Sequence, residues 1–274
     1  MLIDPSRPEV SYVLGLLHTD GWHSGRIDAK GKVGIELHQR DVEVLRQVRD
    51  VIPCRTSLVR RQRSTNFADD YVSYTLQFFD QAIRAELAAL GMPPGRKAYD
   101  LSPPAGVGLV VRDYLRGVLD GDGSLGFTRT GMPFVSLVTA SEQLAQFFER
   151  QIWEVCGVRR STRRNSRDRV FNVMVSNEAA ALLAAHCWAT QDWPAMPRKA
   201  EAAADVAAWV PLAGRACRYD VVRKPWTPAE DAVVLSQPLA ESGEVLGRTL
   251  KSVTVRRWRL RNSVTSGWGS PRPP

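Results

Sequence analysis

Apolar residues recur along this chain in two rhythms. Over Asp41–Val51 they fall at Val44, Leu45, Val48 and Val51, and over Glu142–Val155 at Leu144, Phe147, Phe148 and Ile152. That spacing predicts two amphipathic helices. Shorter segments on either side predict strands: Gly25–Asp28, Val33–Gln39, Arg55–Arg61 and Tyr71–Phe79, then Ser124–Thr128, Phe134–Thr139, Arg159–Arg164 and Val170–Ser176. Each set is preceded by a helix that ends in Asp-Gly and closed by another, Gln81–Leu90 or Glu178–Cys187. The order is αββαββα, and it occurs twice.

The residues repeat as well as the elements. Tyr12-Val13-Leu14-Gly15-Leu16-Leu17-His18-Thr19-Asp20-Gly21 returns 102 positions later as Tyr114-Leu115-Arg116-Gly117-Val118-Leu119-Asp120-Gly121-Asp122-Gly123. Lys32–Leu37 pairs with Met132–Leu137 at an offset of 100, and Cys54 with Cys156 and Lys97 with Lys199 at 102. Two similar halves point to a pseudo-twofold arrangement. Gly15 and Gly117 would let the two repeated helices approach backbone to backbone, and Thr19 and Gly121 are small on a similar face. Asp20 and Asp122 would then lie side by side. Two carboxylates that close cannot both ionise cheaply. A hard divalent cation resolves the conflict, and paired metal sites of this kind run in-line phosphodiester cleavage.

Both Asp-Gly motifs resemble LAGLIDADG, and residues 10–210 resemble a single-chain, two-motif LAGLIDADG homing endonuclease. The second motif is close to consensus; in the first, His18 and Thr19 replace the usual Asp and small residue. The resemblance implies that Asp20 and Asp122, with Gly21 and Gly123 beside them, hold Mg²⁺ at the scissile phosphates, with Mn²⁺ as a substitute. It implies Lys97, Lys199 and Gln39 as further catalytic residues, although Thr139 stands where a second Gln39 would. It also implies a saddle of antiparallel strands in the DNA major groove, a staggered double-strand break at a long asymmetric target, and a monomer. A non-cleaving relative of the same fold, an intron-RNA maturase or a DNA-binding regulator, is the alternative.

Composition is that of an ordinary globular protein, 44% hydrophobic and 24% charged. No apolar run approaches a membrane span, and Met1–Val10 lacks the basic and apolar regions of a secretory signal. The four cysteines are far apart, with no CxxC pair, which fits a reducing cytosol. No GxGxxG or P-loop pattern implies a nucleotide or other small-molecule cofactor. His18 and His23 lack further metal ligands.

Charge sharpens the picture. The net charge is +8, from 37 basic and 29 acidic residues, which suggests a polyanionic partner; the resemblance implies that it is double-stranded DNA. Arg55, Arg60, Arg61 and Arg63 fall on the third strand of the first copy. Arg159, Arg160, Arg163, Arg164, Arg167 and Arg169 fall on the equivalent segment of the second. Matching clusters make a cationic stripe. Arginine is also the usual reader of guanine in the major groove.

Residues 215–274 hold eleven basic residues against five acidic ones, six of the eight net charges. After a linker over Pro211–Lys224, Thr227 and Pro228 open a helix as N-cap and first-turn residue. A second runs over about Ala240–Leu246 to Gly247, and a basic third over Arg248–Arg261, the layout of a helix-turn-helix. Leu250, Val253, Val255 and Trp258 are expected on its core face; Arg248, Lys251, Ser252, Arg256, Arg257 and Arg259 on its exposed, DNA-binding face. The Trp226-Thr227-Pro228-x-Glu230-Asp231 opening and the Leu246-Gly247-Arg248-Thr249 turn resemble a Myb/SANT-type DNA-binding domain, in which only Trp226 and Trp258 hold the usual tryptophan positions. Residues from Asn262 read as a tail.

The expected fold is therefore α+β. Two pseudo-symmetric αββαββα repeats, 1–100 and 101–213, form a saddle, and 214–274 carries the linker, a small all-α domain and the tail.

Overall fold

Pro8 opens α1 (Pro8–Thr19) at a position where its missing N–H has no helical partner to lose. From Val10 to His18 this helix is buried on every side. So is α5 (Val111–Gly121) from Asp113 to Asp120. Helices buried all round belong in the middle of a core, although α5 takes Asp113, Arg116 and Asp120 in with it, and these two pack on each other. The contact is backbone to backbone. A Cβ at Gly15 would lie 2.2 Å from the Tyr114 carbonyl oxygen, and one at Gly117 would lie 2.1 Å from that of Tyr12.

The computed structural model describes residues 2–65, 68–95, 97–106, 108–189, 195–211 and 226–263. They fall in two units, Met1–Leu212 and Ala213–Pro274. In the first, α1 runs straight into β1 (Gly21–Gly25), followed by β2 (Gly31–His38), a 3-10 turn (Gln39–Asp41), α2 (Val42–Val51), β3 (Thr56–Thr65), β4 (Ala68–Phe78) and α3 (Gln81–Ala89). The four strands form an antiparallel sheet in the order β1-β2-β4-β3. A single turn, α4 (Lys97–Asp100), leads to α5. Then come β5 (Gly123–Phe127), β6 (Pro133–Thr139), α6 (Glu142–Cys156), β7 (Phe171–Ser176), α7 (Glu178–Trp188) and α8 (Pro197–Ala207). This second sheet has three antiparallel strands, β5-β6-β7.

Period-two alternation sets the inward faces. Val33, Ile35, Leu76 and Phe78 of the first sheet are buried, as are Val135, Leu137, Val173 and Val175 of the second. They join α1 and α5 in one core with residues of α2, α3, α6 and α7.

Three expectations change. The first strand begins at Gly21 and ends at Gly25; the segment expected as a strand over Gly25–Asp28 makes the turn to β2, where Arg26 pairs with Asp28 at 2.5 Å. The strand expected over Arg159–Arg164 is absent. Those residues have no alternating apolar set to bury, and they form an irregular, mostly exposed crossing from α6 to β7. The second half therefore departs from αββαββα. α8, absent from the expected elements, adds a helix against α7 and β5.

In the second unit, α9 (Pro228–Ser236), α10 (Leu239–Leu246) and α11 (Leu250–Ser263) follow one another. Thr227 caps α9 as a capping box. Its Oγ1 accepts the Glu230 N–H at 3.2 Å, and Glu230 Oε2 accepts the Thr227 N–H at 2.9 Å. Gly247 ends α10 at φ +59, the left-handed position that favours glycine. The linker residues from 212 to 224 and the tail from 264 onward lie outside the described residues. No described helix is long and apolar enough to cross a membrane.

Candidate active site at the paired helix ends

Asp20 and Asp122 occupy the same position, the C-caps of α1 and α5. The Asp20 N–H bonds to Leu16 C=O at 3.0 Å and that of Asp122 to Val118 C=O at 3.1 Å. The close packing at Gly15 and Gly117 brings these ends together. A Cβ on Gly121 would lie 2.0 Å from Thr19 Oγ1 and 3.3 Å from Asp20 Oδ2. The Asp20 carboxylate thus reaches the residue next to Asp122. Asp20 is half-buried and Asp122 exposed. Two helix C-termini, each the negative end of a dipole, converge on the same spot.

One positive charge lies beneath them. Lys199, on α8, is 8% exposed. Its Nζ donates to Leu119 C=O at 3.0 Å and to Gly123 C=O, on either side of Asp122. Burial lowers its pKa and Arg198 lowers it further, while Asp120, Asp20 and Asp122 oppose the shift. All three carboxylates are therefore within its electrostatic reach. Arg198 ties α8 to the other half, donating from Nε to Asp41 Oδ2 at 3.3 Å.

Behind the acids the two helices exchange hydrogen bonds. The Tyr12 hydroxyl donates to Asp120 Oδ2 at 2.9 Å, and the Met196 N–H adds a second bond at 2.8 Å. At the repeated position, the Tyr114 hydroxyl lies 2.9 Å from His18 Nδ1. Asp120 is fully buried, and burial pushes its pKa up to about 6. Arg116, also buried, pairs with Asp113 at 2.7 Å and stacks over Tyr12 at 5.3 Å. Tyr12 and Tyr114 head both repeated motifs at an offset of 102, but the sequence assigns them no role at the site.

The remaining candidates are scattered around this point. Gln39 is exposed and opens the 3-10 turn next to Asp41. Thr139, in the matching place, is buried and accepts the Ser141 N–H at 3.1 Å, so it serves the start of α6. Lys97 begins α4, and its side chain lies outside what the structure describes.

Cross-strand partners share a face. Arg61 pairs with Ser73 and Arg63 with Tyr71, on the face of Glu36 and His38 that turns away from the core. Arg63 donates to Glu36 Oε1 at 2.8 Å and stacks on Tyr71 at 5.5 Å. Arg60 lies on the opposite face, bonded to Gln62, and Arg55 is exposed before β3. In the second half, Arg159 stacks on Trp153 at 4.6 Å and Arg164 on Phe171 at 4.9 Å. Arg167 pairs with Asp168 at 2.9 Å. Arg160, Arg163 and Arg169 are exposed, with no ion pair among the described residues.

In the second unit the expected faces of α11 are partly inverted. Val253 is buried, but Leu250, Val255 and Trp258 are 56%, 42% and 66% exposed. Val253, Arg256, Arg257 and Leu260, spaced as i, i+3, i+4 and i+7, form the face that is wholly or partly buried. Arg248 pairs with Glu230 at 3.0 Å and stacks on Trp226 at 3.9 Å; Arg256 pairs with Asp231 at 2.6 Å. Arg257 donates to Val234 C=O at 2.6 Å and to Gln237 C=O. Ser252 is half-buried, while Lys251 and Arg259 stay exposed.

No protein-family model and no curated protein matches the chain. Among solved structures, the homing endonuclease I-WcaI bound to its DNA recognition sequence is similar at TM-score 0.51 and 12% identity, over 72% of this chain and 87% of that one. The fold resembles that of the LAGLIDADG homing endonucleases. Mesophilic variants of the homing endonuclease I-DmoI match at TM-score 0.49 and 12% identity, covering 72% and 98% of the two chains. The N-terminal LAGLIDADG domain of DUF199/WhiA matches at 0.44 and 10%, covering 72% and 89%.

The donor set at the helix ends is hard oxygen. No cluster of three or more His, Cys, Asp or Glu residues fit to hold a metal occurs among the described residues. Mg²⁺ is commonly held by one or two carboxylates and completed by water and substrate phosphates. Asp20 and Asp122 fit that mode.

Proposed function

We propose that this protein is a site-specific DNA endonuclease that hydrolyses both strands of a duplex in the presence of Mg²⁺. One observation carries the reading: identical aspartates cap two crossing helices, with the Asp20 carboxylate 3.3 Å from the Cβ position of Gly121, next to Asp122. Asp20 and Asp122 would hold the cation. When bound, it supplies water activation and charge stabilisation at the leaving oxygen. The two halves act as a pseudo-symmetric pair, one acid towards each strand, which yields a staggered break from a monomer.

Lys199 fixes the carbonyls on either side of Asp122 and so aims that carboxylate. Gln39, exposed at the 3-10 turn, would orient water. The outward face of the first sheet, with Arg61 and Arg63, lies along the major groove, and Arg55 with the 158–170 segment meets phosphates. The likeness to a DNA-bound homing endonuclease supports this direction. The second unit is a Myb/SANT-like helix-turn-helix. Of the α11 residues expected on the DNA face, Lys251 and Arg259 remain exposed to contact DNA, and the tether raises the effective concentration of each module for the other's site.

The test is selection of duplexes by the full chain from a random library in EDTA, followed by Mg²⁺. A staggered double-strand break in the selected duplex is expected. Tight binding without a break would contradict cleavage and leave a non-cleaving regulator. Preference for structured RNA would favour a maturase.

A further inference from the structure

The two sheets turn different chemistry away from the core. On the first, that face carries Lys32, Glu36, His38, Arg61 and Arg63, with Trp22 and Val59 among them, the latter 41% exposed. On the second, the same face runs through Ser124, Phe134, Ser136, Val138, Asn172 and Met174, with no charged residue. Val138 and Met174 are 43% and 48% exposed, and Asn172, directly opposite Val138, is exposed too.

The end of this sheet where β6 stops and β7 starts is cationic. Arg164 stacks on Phe171 at the start of β7 and donates to Ala140 C=O, just past β6, at 3.4 Å. Arg159, Arg160, Arg163, Arg167 and Arg169 share the same segment. An uncharged floor beside an arginine rim complements a polyanion with an apolar interior edge. In a DNA major groove that apolar edge is the thymine C5-methyl, and asparagine is the side chain that matches adenine N6 and N7.

We propose that the second sheet selects A·T base pairs, with Val138 and Met174 against thymine methyls and Asn172 on an adenine edge. Arg61, on the first sheet, selects guanine. This rests on the DNA-reading function above and adds its substrate: a target whose half under the second sheet is rich in A·T.

Deoxyuridine in place of thymine removes the methyl and nothing else. In a duplex selected by the full chain in EDTA, the replacement is made in one half-site at a time. Binding weakens about fourfold for each contacted methyl in one half only, the effect of losing one buried CH₂-sized group. The sensitivity disappears in Val138→Ala/Met174→Ala, which keeps its grip through the arginines. Met174→Gln, close in volume and on an exposed position, reports the same loss if the double variant fails to fold. Tight binding with no response in either half, an equal response in both, or a response that persists in these variants overturns the proposal and leaves DNA binding intact. Failure to select any duplex overturns the DNA reading itself, and this proposal with it.

Discussion

At the ends of α1 and α5, two duplicated tyrosines cross to the opposite helix and meet different partners. Tyr12 donates to a buried carboxylate, Asp120, while Tyr114 faces an imidazole, His18, both at 2.9 Å. The position demands a hydrogen-bonding group for the tyrosine, and either residue type provides one. One step further on, the two copies carry the same residue. Asp20 is half-buried and Asp122 exposed, so packing is a weak reason for both to be aspartate. The buried pair has diverged within a fixed geometry; the accessible pair is identical, as the proposed shared chemistry at a divalent cation would require.

The comparison depends on the helices touching. Gly15→Leu or Gly117→Leu drives a side chain into a backbone carbonyl about 2 Å away. We expect destabilisation of ~4 kcal/mol or more in urea unfolding. A loss under 1 kcal/mol would mean that the helices can separate without harm.

Next comes the charge at Asp120. Its folded pKa, about 6, exceeds the unfolded carboxylate value of ~3.9. The folded state therefore binds the extra proton between these values, and this group's contribution to stability is lost as pH rises from about 4 to 6. In metal-free buffer, wild type should lose ~3 kcal/mol relative to Asp120→Asn over that range. Parallel pH profiles would contradict this.

Lys199→Met removes a charged donor from two carbonyls and should cost ~2 kcal/mol, with a larger fall in kcat than in DNA affinity. The smallest effects split the tyrosines. Tyr12→Phe takes a bond from a carboxylate and should cost ~2 kcal/mol, whereas Tyr114→Phe takes one from histidine and should cost ~1 kcal/mol. Equal losses would remove the distinction between the two partners.

The duplicated framework was legible because it is written in periodicity. Val33, Ile35 and Leu37 alternate, Val44, Leu45 and Val48 share a helical face, and all six are buried. Gly15 and Gly117 were readable as contact points because a repeat fixed their equivalence. What failed was segments without an apolar rhythm. The 158–164 stretch takes its shape from side chains, such as Arg159 on Trp153 and the Thr162 N–H on Glu149 Oε1 at 2.5 Å. On α11, arginine was assigned to solvent and tryptophan to the core; Arg256 and Arg257 instead find acids and carbonyls to meet, and Trp258 faces out. At the site, the aspartates were visible from sequence. That Lys199 is buried against backbone was not, since its pairing with Lys97 in the repeat says nothing of burial.

The central claim is that Asp20 and Asp122 share the work of cutting a bound duplex. The measurement is cleavage of the selected duplex in Mg²⁺ by wild type, Asp20→Asn and Asp122→Asn at matched binding saturation. The account predicts that each single variant binds as wild type does and makes no double-strand break. Full double-strand cleavage by both variants would contradict it.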